Sequence, residues 1–444
     1  MSTSQDTTLM RRLGLFSLIV YGVGDMVGAG IYGTIGIAAG VLGNAVWLSF
    51  VVSMVAAMLT GLSYASLASR YPKAGGAAYV AHRAYGKPLL SYVVGLAVAM
   101  SGLTSMAAGA QVFAENLGII LPVLPFWVIL FGFLALLALV NFIGIRESMI
   151  TNLICTAVEV GGLVFVIIVG AKYWGSVDYL KVPEGTTLGP SMLLSGAVLT
   201  FYSFVGFEDM INVSEEVKNP QRTMPWGIVL ALGITTILYI LVSVTAVSVV
   251  PTDHLADASR GAPLAQITHV AAPWLPGWVY TAITLFAVGN TALINYIMGS
   301  RLLYGMARQR LVPEALGRVH PTFRTPHVAI LTLGGLVLLL AFSGNINQLA
   351  SSTSLLLLSC FCIVNASLIT LKFRPGEPKG AMEIPVVIPA LGMLVCFGLI
   401  FARLTAATAD YRAPLIAGAM LGLILALYLV LRPRNVMGAE EEEA

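Results

Sequence analysis

The sequence predicts an all-α polytopic membrane protein of about twelve transmembrane helices. Of its 444 residues, 58% are hydrophobic and 10% charged, against roughly 25% charged in an ordinary soluble domain. Mean hydropathy is +0.89. Apolar runs of about twenty residues recur along the chain, the length at which a helix crosses a bilayer with its backbone hydrogen bonds satisfied internally. Soluble, disordered, collagenous and disulfide-rich secreted classes are excluded. The net charge of +3 is the difference between 24 basic and 21 acidic residues, and it forms no basic patch for nucleic acid.

Gly, Pro and charge punctuate the hydropathy into spans near 14–40, 44–69, 88–114, 123–144, 150–173, 190–214, 224–249, 276–307, 327–343, 348–371, 384–404 and 413–431. The first follows Arg11 and Arg12, exceeds a signal-peptide core and lacks a cleavage site, so it is expected to stay in the protein. With the amino terminus in the cytoplasm, only Lys172, Lys181, Arg260, Arg403 and Arg412 of the 24 basic residues face outward. That asymmetry follows the positive-inside rule and puts both termini, including the acidic tail Glu440 to Glu443, in the cytoplasm of a plasma membrane, or of the inner membrane in a Gram-negative cell. Trp127, Trp174, Trp274 and Trp278 fall at outer span ends, where an indole anchors at headgroup level. Cys155, Cys360, Cys362 and Cys396 all lie within spans and read as packing residues, not disulfides or metal ligands.

Spans one and six depart from ordinary lipid-facing helices. The first carries Gly22, Gly24, Asp25, Gly28, Ala29 and Gly30. A dinucleotide loop would need a preceding strand, which this context lacks, whereas the GxxxG of Gly24 and Gly28 also suits helix packing. A mid-span carboxylate, Asp25, normally faces a cavity or a partner. The segment therefore reads as a helix broken at Gly28-Ala29-Gly30, whose second half would offer free N–H groups and a positive dipole end to an anion. Span six is interrupted near its middle by Ser203, Gly206, Glu208 and Asp209, with Asp209 expected on a different face from Glu208. Broken helices at corresponding positions of two halves mark the substrate site of inverted-repeat transporters. The spacing fits a first repeat at 14–174 and a second at 190–372, with spans eleven and twelve at 384–431, flanked by tails 1–13 and 432–444.

Five stretches carry a resemblance: GDMVGAGIYG at 24–33, YPKAGGAAYV at 71–80, FYSFVGFEDM at 201–210, EEVKNPQRTMPWGI at 215–228 and NTALINYIMGSRLLYGMARQRLVP at 290–313. In these the chain resembles the amino acid–polyamine–organocation superfamily, and within it the amino acid permeases close to the cationic amino acid transporters. The resemblance implies the five-plus-five inverted repeat first described in the bacterial leucine transporter, with helices one and six broken. It implies that Gly28, Ala29 and Gly30, next to Val27 among the substrate contacts, hold a substrate carboxylate through N–H groups, while Val205, Gly206 and Phe207, beside Ser203, offer carbonyls to an ammonium. Tyr202 matches an aromatic lid position, or is a packed ring. Glu208 matches an acid used in gating or proton coupling, or is a structural carboxylate held by backbone N–H groups.

One departure from the family pattern bears on coupling. Relatives often carry a lysine at the position of Glu159, whose ammonium substitutes for a sodium ion, so that mechanism does not transfer. Glu159 is left as a proton carrier, a partner for a cation or a neutral interhelical hydrogen-bonding group. Asp25 would attract an amine or bridge neighbouring helices, which keeps cationic amino acids and polyamines open beside small neutral amino acids. Asn290 is placed among the substrate contacts, and with Thr291, Ser351, Ser352 and Ser354 it either lines the pathway or bonds between helices.

His82, His254, His269, His320 and His327 fall in loops or at span ends without ligand spacing, so neither an enzyme nor a metal centre is expected. A nucleotide-binding loop and a pore loop are missing too. The expectation is a secondary active importer of amino acids, coupled to protons through buried carboxylates and needing no cofactor, its partners being the substrate, protons and the bilayer. Exchange, diamine transport and nutrient sensing on the same fold are the alternatives; oligomeric state is left open.

Overall fold

The computed structural model describes residues 13–72, 76–143, 148–308, 311–323, 325–405 and 411–431. Arg11, Arg12, Lys73, Arg146, Arg310, Arg324 and the tail 432–444 lie outside the described residues, so their expected placement is not addressed by the structure.

The described residues fold as helices, with no strand beyond a single bridge between Leu13 and Val217. In chain order they are α1 (Leu15–Met26), α2 (Ala29–Leu42), α3 (Val46–Arg70), α4 (Gly76–Tyr85), α5 (Pro88–Ile120), α6 (Phe126–Ile143), α7 (Ser148–Gly170) and α8 (Pro190–Phe201). Then follow α9 (Pro220–Val249), α10 (Thr252–Ala256), α11 (Pro263–Ala271), α12 (Gly277–Arg308), α13 (His327–Ser343), α14 (Ile346–Phe373), α15 (Val387–Thr405) and α16 (Arg412–Leu431). Among the described residues ten helical stretches are long and apolar enough to cross a membrane. The count differs from the twelve spans of the sequence because one continuous stretch, Gly30–Arg70, runs through two of them, and because Leu15–Met26 and His327–Ser343 are shorter apolar helices. The chain is a multi-pass membrane protein.

Both interruptions have local causes. α1 stops at Met26, Val27 and Gly28 leave helical geometry, and α2 starts at Ala29. A Cβ on Gly30 would stand 2.5 Å from the Ser203 Cα, and one on Gly28 would overlap the Thr291 hydroxyl. Glycine at both positions lets the break sit directly against α8 and α12. α8 tightens into a 3-10 turn at Tyr202–Phe204, opens at residues 205–208 and resumes as a 3-10 segment, Asp209–Glu216. Gly206 supplies φ +124, a region closed to side chains, and lies so near α1 that a Cβ would be 3.0 Å from the Asp25 Cγ.

The two breaks are tied together from α9. The Tyr239 hydroxyl lies 2.6 Å from the Met26 carbonyl and 2.7 Å from that of Ser203, so it can donate to either. Elsewhere in the bundle buried polar groups join helices, as where Asn365 of α14 accepts from Ser63 and donates to Thr60 of α3. Ser351, Ser352 and Ser354 bond within α14, and Ser352 also reaches the Ala413 carbonyl at the start of α16. The four cysteines are free thiols, and Trp127, Trp174, Trp274 and Trp278 are exposed at 61%, 42%, 71% and 66%, as headgroup anchors would be.

At one end of the bundle a charged clasp joins the end of α3, α4 and the end of α14. Arg70 grips Glu383 through two hydrogen bonds, of 2.9 and 2.6 Å, while Lys372 and the Gly380 N–H bind the same carboxylate. Partial burial works against the charge on Glu383, but these bonds overcome it and hold the carboxyl down at about 2. Glu377 accepts from the Tyr71 hydroxyl at 2.6 Å and pairs with Arg83 and Arg374; these outweigh its burial and lower it too. The segment before α1 is anchored separately, the Leu13 carbonyl accepting from Lys218 N–H at 2.8 Å.

Candidate substrate-binding site

A small cavity lies where the two breaks meet. Asp25, Met26 and Gly30 line it from the first break, and Tyr202, Val205, Gly206 and Asp209 from the second. Ser105 of α5, with Thr291 and Asn295 of α12, completes the wall. It leaves room for the centre of about one water molecule, roughly 10 Å³. In this conformation anything larger than a water requires the walls to separate.

The electrostatics follow from the breaks. In α2 the first N–H to find a helical partner belongs to Tyr32, bonding Gly28 at 3.2 Å, so the amides of Ala29, Gly30 and Ile31 precede the helical ladder at a positive dipole end. Facing them, the negative end of α1 carries Asp25 in its last turn, with no basic residue there. Across the cavity the turn at residues 205–208 leaves the Phe204 and Val205 carbonyls without a backbone donor among the described residues. Tyr202 closes one wall, its hydroxyl 3.1 Å from that of Ser105 and 3.2 Å from the Ser105 carbonyl.

Of the residues singled out in the sequence, Asp25, Gly30, Tyr202, Val205, Gly206 and Thr291 share this cavity. Val27, Gly28 and the backbone of Ala29 form the first break without lining it, and the Ala29 side chain lies outside what is described. Ser203 turns its hydroxyl to Thr34 at 3.4 Å. Phe207 packs between Tyr64 and Phe361, with ring centroids 5.8 and 5.1 Å away. Asn290 points to α7, donating to Glu159 at 3.1 Å. Glu159 is fully buried outside the cavity wall, one carboxyl oxygen having no partner among the described residues.

The two acids of helix six face different surroundings. Glu208 folds back to accept the Gly206 N–H at 3.0 Å, whereas Asp209 reaches the cavity. Asp209, Met26, Ser105 and Asn295 are the lining residues that sequence reasoning did not select. Asn295 was signalled by its position four residues after Thr291, on the same face of α12.

Comparison with known proteins agrees with this architecture. The family profile described as amino acid permease matches residues 13–425. The chain is 33% identical over 427 residues to an uncharacterized transporter of Mycobacterium tuberculosis, covering 96% of this chain and 92% of that one. It is 29% identical over 428 residues to a branched-chain amino acid permease of Bacillus subtilis, covering 90% and 89%. To cationic amino acid transporter 4 of Mus musculus it is 30% identical over 404 residues, covering 85% of this chain and 62% of that one. The chain belongs to the amino acid permease family.

Proposed function

We propose that the protein is a secondary active importer that carries amino acids across the plasma membrane by alternating access, with both termini in the cytoplasm. The observation that carries this reading is the cavity between two broken helices, bounded by the amino-terminal end of α2 at one break and by the Val205–Gly206 turn at the other. A zwitterion fits that field: its carboxylate at the Gly30 end of α2, its ammonium at the Val205 turn, and Tyr202 over both. The reading takes residues 14–174 and 190–372 as inverted repeats, so that each supplies one broken helix, with α15 and α16 appended.

Coupling is to protons in this account. Glu208 sits within the second break, accepting the Gly206 N–H, and Glu159, beside Asn290, holds an oxygen with no partner among the described residues. Both are placed to gain or lose a proton as the breaks move. The test is uptake of labelled amino acids into proteoliposomes under an imposed pH gradient. Uptake driven by an inward proton gradient and suppressed in Glu208→Gln, with binding retained, is the expected result. Uptake that is indifferent to the gradient but dependent on amino acid loaded inside would replace symport with exchange.

A further inference from the structure

Tyr239 stands on α9, a helix that runs without a break from Pro220 to Val249. It is fully buried, its ring lying between Phe50 of α3 and Phe204 of the second break at centroid distances of 5.7 and 5.3 Å. Held there, its hydroxyl meets one carbonyl from each break: Met26, the last residue of α1, at 2.6 Å, and Ser203, in the 3-10 turn after α8, at 2.7 Å. A phenol carries one proton and satisfies one acceptor at a time. The two acceptors are unequal. Met26 also receives the Gly28 N–H at 3.1 Å, whereas the Ser203 carbonyl has no backbone donor among the described residues. A buried carbonyl without a donor is costly, so in the contracted site the phenolic proton belongs to Ser203 while Met26 keeps Gly28. Parting of the two breaks draws at least one of these carbonyls away from a hydroxyl that α9 keeps in place.

We propose that Tyr239 is a positioning residue for transport, its single phenolic proton latching the two breaks together and changing over between the Ser203 and Met26 carbonyls as they part. The latch rests on the reading of the cavity as the transport site and adds to it the group that sets how readily the site opens. Tyr239 does not line the cavity, so it acts through the backbone of the breaks and not on the ligand. One proton between two carbonyls suits that task. Either break can leave while the other stays bonded, so opening costs one contact and not both. A ring without a donor would leave both carbonyls unsatisfied by the side chain in every state, and nothing from α9 would favour the contracted site. A ring with two donors would bond both carbonyls at once, and every separation would break a hydrogen bond already made.

The experiment counts those donors. Position 239 is occupied by phenylalanine, tyrosine or 4-aminophenylalanine, whose neutral amine donates twice, in the full chain carrying Thr291→Cys, which places a thiol on the cavity wall. The rate at which methyl methanethiosulfonate, a reagent larger than water, modifies the introduced thiol reads opening of the site, with the native cysteines subtracted from the same proteins lacking Thr291→Cys. Relative to tyrosine, the rate should rise about fivefold with phenylalanine and fall about fivefold with 4-aminophenylalanine, the scale of one ordinary hydrogen bond. Equal rates in all three, or phenylalanine and 4-aminophenylalanine moving the rate in the same direction, overturn the latch, because a ring that merely packs responds to either replacement as a packing defect. Thermal unfolding of each form identifies a variant that has lost its fold, and the comparison of tyrosine with 4-aminophenylalanine, which keeps a polar para group, then decides alone. Uptake of a labelled L-amino acid mixture into proteoliposomes separates the latch from the reading it rests on. Thiol rates in the expected order, with uptake absent even with tyrosine at 239 and Thr291 intact, uphold the latch and overturn the transport site; uptake with unordered rates does the reverse.

Discussion

The two carboxylates of the clasp are the opposite of Asp25 and Glu159. Glu383 receives Arg70, Lys372 and a backbone N–H, and Glu377 receives a tyrosine and two arginines. Asp25 and Glu159, more deeply buried, each keep an oxygen that meets nothing among the described residues. Saturated acids hold helices together; acids left open inside a membrane are costly to the fold and useful to a ligand. The difference separates what keeps the bundle assembled from what the proposed site leaves open to a ligand.

The largest effect should come from closing the space between the breaks. Gly30→Ala puts a methyl 2.5 Å from the Ser203 Cα, and Gly206→Ala adds strain at φ +124. Each should weaken amino acid binding by more than tenfold, about 1.4 kcal/mol, and Gly206→Ala should also lower stability by about 1–3 kcal/mol. Titration of ligand and thermal unfolding of the same samples measure both. Wild-type affinity in either variant would remove the breaks from the site.

Next in size is the exchange of roles between the two acid groups. Glu383→Gln leaves Arg70, whose side chain is 6% exposed, without its charge partner, and should cost about 1–3 kcal/mol in unfolding with ligand preference unchanged. Asp25→Asn should do the reverse, changing ligand preference while unfolding is unaffected or slightly improved. If both variants lose stability alike, the distinction between the two groups collapses.

The clasp also sets an acid limit. Because the Glu383 carboxyl is held at about 2, below its unfolded value, its stabilisation is complete above the ordinary carboxylate range and drains away as pH falls toward 2. The margin in unfolding temperature of the wild type over Glu383→Gln should be constant from neutral pH down to about 5 and shrink below it. The smallest effect belongs to Asp257 and Arg260, 45% and 51% exposed at 3.3 Å, where Asp257→Asn should leave the unfolding temperature unchanged.

The first break was legible because a continuous lipid-facing helix rarely tolerates a glycine run with an acid in mid-span, and the structure breaks α1 at that point. Which acid of helix six faces the cavity was not legible. Counting faces assumes about 100° per residue, whereas the chain here passes through φ +124 at Gly206 and continues as a 3-10 segment, and that carries Asp209 inward and turns Glu208 back. Asn290 and Thr291 were named together with two roles open, and the structure divides them: Thr291 shares the cavity face with Asn295, and Asn290 looks to α7. Ser105 arrives through the packing of α5 on α12, a long-range contact that no local pattern encodes.

The most direct measurement is a structure of the protein with an amino acid bound, at a resolution that separates carboxylate from ammonium. The account predicts density between Gly30 and Val205, with the carboxylate within hydrogen-bond reach of the α2 amides and Tyr202 over the ligand. Density away from both breaks, or a ligand whose carboxylate turns from α2, would contradict it.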